Sequence, residues 1–251
     1  MLFPIGDENT GRRTLPIINY TIIGLNILVF LYELSQGDLF ITGYSVVPFE
    51  ITHGVDLVGH FKVPGIPHGI EEGPGPHPIY LTLFTSMFMH GGWTHIGGNM
   101  LYLWVFGDNV EDAFGHAKYL VFYLVCGLAA AFAQIALAPD SLVPSLGASG
   151  AIAGVLGAYI VMFPHNRVRT LVFFIFITIT WLPAILVIGV WIVTQLFSQL
   201  AAISDATAQT GGGGVAYMAH IGGFFAGLIL TLFFRPKHEY TGPYDSYNRP
   251  Y

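Results

Sequence analysis

The sequence predicts an all-α membrane protein, a six-transmembrane-helix bundle with a long, partly membrane-dipping loop between helices one and two. Three observations carry that prediction. Of 251 residues, 53% are hydrophobic and only 10% are charged, where a soluble domain carries about 25% charged residues. The apolar residues gather into runs close to bilayer length, punctuated by Gly, Pro and charge. The basic residues fall almost entirely between alternate runs. A net charge of −6 with no basic cluster argues against nucleic-acid binding. The single cysteine, Cys126, sits in an apolar run, which excludes an internal disulfide and reads as core packing.

Taken in order, residues 1–14 form a short cytoplasmic N-terminus that ends in Arg12 and Arg13. Leu15 to Leu34 is the first spanning helix, with Asn19 and Asn26 read as interhelical hydrogen-bonding groups. No removable signal peptide is expected, because this run is long enough to span and no small-residue cleavage pattern follows it. Residues 35–79 are an acidic loop rich in Gly, Pro and His, long enough to imply a function or a structure of its own. Ile79 to Met89 is apolar but too short to span and is read as dipping into the interface. The segment HGGWTHIGGNMLYLWVFGDNVEDAFG, residues 90–115, opens the second helix, and Ala117 to Ala138 is the third. After the turn Pro139 to Pro144, a fourth helix begins at a serine-containing stretch and ends near Phe163. Residues 170–199 read as a fifth helix, locally kinked at Pro183. A polar, glycine-rich loop covers 200–214, the sixth helix 215–234, and a flexible cytoplasmic tail 235–251, so the membrane domain is 15–234. Arg12, Arg13, Lys118, Arg167, Arg169, Arg235, Lys237 and Arg249 fall on one side and Lys62 alone on the other, which puts both termini in the cytoplasm.

That orientation aligns the polar residues in depth. Helices two, four and six all run inward, and near their outer ends lie His95 and Asn99, Ser149, and His220. Polar groups inside a bilayer are expensive and usually face the bundle interior. His95 and Asn99, four residues apart, share one helix face. Ser149 lies in PSLGASGAIAG, where Gly147 and Gly150 permit tight turning. On this stretch alone the hydroxyl can be a helix N-cap or a nucleophile. The steps Gly150 to Gly154 and Gly223 to Gly227 let helices four and six approach closely enough for a serine and a histidine to meet. Asp108, Asn109, Glu111 and Asp112 read as helix-end and turn chemistry, and Trp93, Trp104, Trp181 and Trp191 as interfacial or packing residues.

GASGAIAG, AHIGG and HGGWTHIGGNM, in this arrangement on six helices, resemble the rhomboid family of intramembrane serine proteases over residues 15–234. The resemblance implies Ser149 as nucleophile and His220 as base of a catalytic dyad. It implies an oxyanion hole of His95, Asn99 and the Ser149 N–H, supported by Gly147, Ala148, Gly150 and His90. It further implies helix five as a mobile side gate, single-pass transmembrane proteins as substrates cleaved near the outer face, and no cofactor. The FGDNVEDAFG and Trp-Leu-Pro segments are similar to prokaryotic members, which points to a prokaryotic plasma membrane. The chain departs from the family at Ala153, four residues after the serine, where many members carry an aromatic that supports the histidine.

In this reading Ser149 attacks a peptide carbonyl as neutral His220 takes its proton. Loss of an oxyanion donor would cost roughly 2.7–4 kcal/mol, and activity should fall below about pH 6.5 as histidine charges. Two rival readings compete with it. A non-proteolytic relative would bind membrane helices without cleaving them, though such relatives mostly lack the serine or the histidine, and this chain has both. A metal-binding transporter is suggested by His53, His60, His68, His77, His90 and His95, yet no HExxH or comparable ligand spacing accompanies them.

Overall fold

The computed structural model describes residues 2–9, 11–63, 66–173, 177–204 and 216–234. The tail predicted over 235–251 and loop residues 205–214 lie outside them. Four helices are long and apolar enough to cross a membrane: α1 (Ile17–Gln36), α6 (His116–Leu137), α8 (Ala184–Ser204) and α9 (Tyr217–Phe234). Two more complete the helical bundle. α5 (Trp93–Phe114) is as long but acidic at its C-terminal end. α7 (Ser149–Met162) has 14 residues, about 21 Å of helix at 1.5 Å per residue. It lies at the centre, and Gly150 through Tyr159 are all buried.

Glycine makes that central position possible. A methyl group on Gly223 would collide with the Gly150 carbonyl, one on Gly227 with the Gly154 carbonyl, and one on Gly157 with the Phe224 carbonyl. The backbones of α7 and α9 are therefore in direct contact along the two small-residue steps read from the sequence. On the α6 side, Cys126 and Ala130 fill the space beside Gly154 and Gly150.

Asn19 and Asn26 on α1 both meet tyrosines of α6. The Asn19 amide donates to the Leu103 carbonyl of α5 at 3.0 Å and accepts from the Tyr119 hydroxyl of α6 at 2.8 Å. The Asn26 amide donates to Ile22 of its own helix at 2.7 Å, and its side chain also meets the Tyr123 hydroxyl of α6. The acidic end of α5 caps the start of α1. Glu111 accepts the Ile18 and Asn19 backbone N–H groups at 2.9 and 2.7 Å and also contacts His116, which satisfies first-turn donors that have no partner within α1. Asp112 accepts from Thr14, and Arg12 pairs with Asp108 at 2.6 Å.

The prediction of an all-α fold requires correction. A three-stranded antiparallel sheet joins β1 (Leu2–Asp7), β4 (Arg167–Phe173) and β5 (Ile177–Pro183), with β4 in the middle. The apolar run 170–199 is thus two elements, a hairpin followed by α8. β-branched and aromatic residues dominate 168–181. Pro183 closes β5 and so leaves α8 unkinked, because the residue before a proline avoids helical angles and the helix starts only at Ala184. The first N–H groups of α8 donate to the Asn166 and Pro164 carbonyls. The N-terminal stretch 1–14, read from the sequence only as a short N-terminus, supplies β1 as an edge strand. Asp7 accepts from the Tyr159 hydroxyl at 2.6 Å and the Asn109 amide at 2.7 Å.

The long loop also has structure of its own. It contains α2 (Asp38–Tyr44), α3 (Pro48–His53) and a hairpin of β2 (Gly59–Val63) with β3 (Ile66–Glu72). The segment 79–88 forms two 3₁₀ turns around a short α4 (Thr82–Thr85). This loop grips the chain just ahead of Ser149. Val46 and Ser145 form an isolated antiparallel bridge, and the Gly147 N–H donates to the Ser86 carbonyl at 2.8 Å.

Candidate active site

Ser149 is the first residue of α7, and the N-cap position belongs to Ala148, which makes no side-chain cap. The Ser149 hydroxyl instead meets His220 of α9, with Oγ 2.7 Å from Nε2. Between the two readings left open by the serine stretch, this geometry favours a serine paired with a base. His220 is 9% exposed. Its other ring nitrogen, Nδ1, lies 2.8 Å from Oε1 of Gln195 on α8. The Trp191 ring, one turn before Gln195, lies 5.7 Å from the histidine ring at a 37° tilt. Ala153 is fully buried, and its methyl leaves ring support to Trp191.

His95 and Asn99 approach from α5. The Gly91 N–H donates to His95 Nδ1 at 3.3 Å, so in the neutral ring Nε2 carries the proton. That nitrogen points at the serine loop: a methyl on Gly147 would sit 2.8 Å from His95 Nε2 and 3.6 Å from Ser149 Oγ. Gly147 has φ +129°, a conformation side chains avoid, and the His95 ring occupies the space one would need. Asn99, one turn along α5, is 8% exposed, and its Nδ2 has no partner among the described residues. The Ser149 N–H lies at the amino end of α7, where backbone donors and the helix dipole favour negative charge. Gly150 lets α7 seat on Ala130, since a methyl there would lie 2.6 Å from the Ala130 Cβ.

His90 was expected to brace the loop before His95 through hydrogen bonds, and its backbone does so, donating to Glu33 of α1 at 3.1 Å. Its ring stands edge-on to His95 at 5.1 Å and also meets the Phe88 carbonyl. A small cavity of about 40 Å³ opens beside Ser149, lined in part by Ser86, Gln134, Ser145 and Gly147. Among the described residues, no three His, Cys, Asp or Glu side chains are grouped to hold a metal ion.

Sequence reasoning missed Gln195, Gln134 and any role for Trp191 beside His220. A signal was present for one pair: Trp191 and Gln195 are four apart and therefore share a helix face.

Comparison with known proteins places this geometry in context. The family model described as the Rhomboid domain matches residues 78–237, more than half of the chain. The mitochondrial rhomboid protein 1 of Saccharomyces cerevisiae is 27% identical over 216 residues, 84% of this chain and 51% of that protein. The rhomboid protease GluP of Bacillus subtilis is 39% identical over 85 residues, 34% of this chain and 16% of its own length. The human mitochondrial presenilin-associated rhomboid-like protein is 28% identical over 141 residues, 54% and 36% of the two chains. This chain thus spans about half or less of the length of these relatives. They come from mitochondria and a bacterium, so they lend no support to the expected prokaryotic plasma membrane over an organelle. With apolar helices of spanning length, a helical bundle and a Rhomboid domain over most of its membrane segments, the chain is an integral membrane protein that belongs to the rhomboid family.

Proposed function

We propose that this chain is an intramembrane serine endopeptidase, with Ser149 as nucleophile and His220 as general base. The observation that carries the reading is the 2.7 Å contact between Ser149 Oγ and His220 Nε2 in a largely buried setting. Serine Oγ attacks the scissile carbonyl carbon while Nε2 takes its proton. The histidine then returns the proton to the departing amine, which leaves an acyl-serine for water to hydrolyse. Negative charge on the tetrahedral oxygen is met by His95 Nε2–H, the Asn99 amide and the Ser149 N–H. The free Nδ2 of Asn99 supports that role, since a buried amide donor without a partner is held ready for one. The cavity beside Ser149 has room for about two or three waters and gives the hydrolytic step its reagent.

The substrates are single-pass transmembrane proteins, cleaved near the outer face, with the lipid bilayer as the surrounding partner. A carbonyl bonded within a helix is not open to attack, so the substrate must unwind locally at the cleaved bond. Six crossings, with α5 and α7 added to the four apolar helices of spanning length, put both termini on the cytoplasmic side, where the basic residues cluster.

The test is covalent labelling with a serine-directed fluorophosphonate in mild detergent. Labelling of wild type and none of Ser149→Ala or His220→Ala, all folded, is the expected result. Absence of labelling in wild type, beside a working control protease, would favour a helix-binding relative that does not cleave.

A further inference from the structure

His220 is held from both sides, and the second hold comes from α8. The Gln195 amide nitrogen lies 3.5 Å from the Trp191 carbonyl and 3.3 Å from Thr194 Oγ1. A backbone carbonyl only accepts hydrogen bonds, so the amide nitrogen faces Trp191 and the amide oxygen faces His220. That oxygen also only accepts. The 2.8 Å contact with Nδ1 is therefore a donation from Nδ1–H to Gln195, and the lone pair of the neutral ring lies on Nε2, toward Ser149. Trp191 closes the far side of the ring and itself packs near Tyr102 and Phe224.

We propose that Gln195 is a positioning residue for the Ser149–His220 pair: its amide oxygen selects the tautomer able to take the serine proton, and Trp191 steadies the ring in place of an aromatic at 153. The proposal rests on the protease reading. It makes α8 part of the active site. α8 is also the least enclosed of the four apolar helices of spanning length, with 17% of its apolar span buried against 28–33% for the others. If α8 shifts away from α9, both supports leave His220 together, so serine activation depends on α8 being seated. The other neighbours of His220 are Ser149 on α7 and His95 on α5, the titratable group facing it from that helix.

The test compares wild type, Gln195→Leu and Gln195→Glu by rate of fluorophosphonate labelling from pH 5 to 9, with melting temperature as a fold check. Gln195→Leu should label about tenfold more slowly, or worse, at an unchanged melting temperature, a part of the roughly 10²–10⁴-fold that a general base supplies. Gln195→Glu should regain rate and move the acid limb of the profile upward by about one pH unit, because a carboxylate on Nδ1–H favours the charged ring. Wild-type rate in Gln195→Leu together with an unmoved acid limb in Gln195→Glu would overturn the proposal and leave the protease reading standing. If Gln195→Leu does not fold, the acid limb of Gln195→Glu decides alone. If wild type does not label, the protease reading fails, and ¹⁵N-histidine NMR still decides the tautomer. A His220 proton fixed on Nδ1 in wild type and shared between nitrogens in Gln195→Leu supports the proposal, and identical spectra refute it.

Discussion

Val46 and Ser145 exchange backbone hydrogen bonds of 2.9 and 2.8 Å, and this bridge helps tie the long loop after α1 to the segment that delivers Ser149. Val46→Pro removes one of the two donors and leaves the Ser149, His220, His95 and Asn99 side chains unchanged. Because small displacements of reacting groups are costly in rate, the variant should label or cleave about ten- to a hundredfold more slowly at temperatures well below its own, lowered, melting temperature. Equal rates would show that the loop has no part in setting the serine.

Gly147 is the position least able to accept a side chain. With φ +129° and His95 Nε2 in the way, Gly147→Ala should cost about 1–3 kcal/mol of stability and abolish labelling. The second effect is the diagnostic one, since the methyl must displace either the His95 ring or the serine loop. A melting curve and a labelling gel on the same preparation separate the two.

Two buried carboxylates in the long loop predict a pH response. Burial pushes Glu50 up to about 7; it pushes Glu72 up to about 8, helped by the nearby Glu50 and Asp56 charges. Both groups bind protons more tightly when folded than unfolded, so their protonated forms favour the fold. That contribution is fully present below the ordinary glutamate range near 4.3 and is lost as pH rises through about 7 to 8. The melting temperature should therefore fall as pH rises from about 4.3 to about 8, and Glu72→Gln should flatten the decline. An unchanged slope in Glu72→Gln would assign the decline to other groups.

Tyr159→Phe tests how α7 is tied to the N-terminal strand. It removes a 2.6 Å bond to Asp7 and should lower stability by about 1–3 kcal/mol, as expected when a buried polar group loses a partner. Proteolysis within residues 2–9 should speed up correspondingly.

The legible parts of the molecule were those written locally. Ser149, His220, His95 and Asn99 stand out because each is a polar residue amid small or apolar neighbours, and the Gly150–Gly154 and Gly223–Gly227 steps announce a close helix pair. The hairpin at 167–183 was not legible as such, because hydropathy alone does not separate two half-buried strands from the start of a helix. β1 was hidden for another reason: its partner β4 lies some 160 residues later, and nothing in six short residues names a partner that far away. Gln195 passed unnoticed because one amide in a long apolar run reads as incidental until the histidine beside it is seen.

The sheet gives the first residues of the chain an importance out of proportion to their size. β1 pairs with β4, β4 with β5, and β5 runs directly into the helix that holds Gln195. An affinity tag fused hard against Leu2, or a nick that frees Leu2–Asp7, therefore acts on the footing of that helix. Handles for purification belong at a distance from this strand, and batches that differ in catalytic quality should first be checked for an intact amino end.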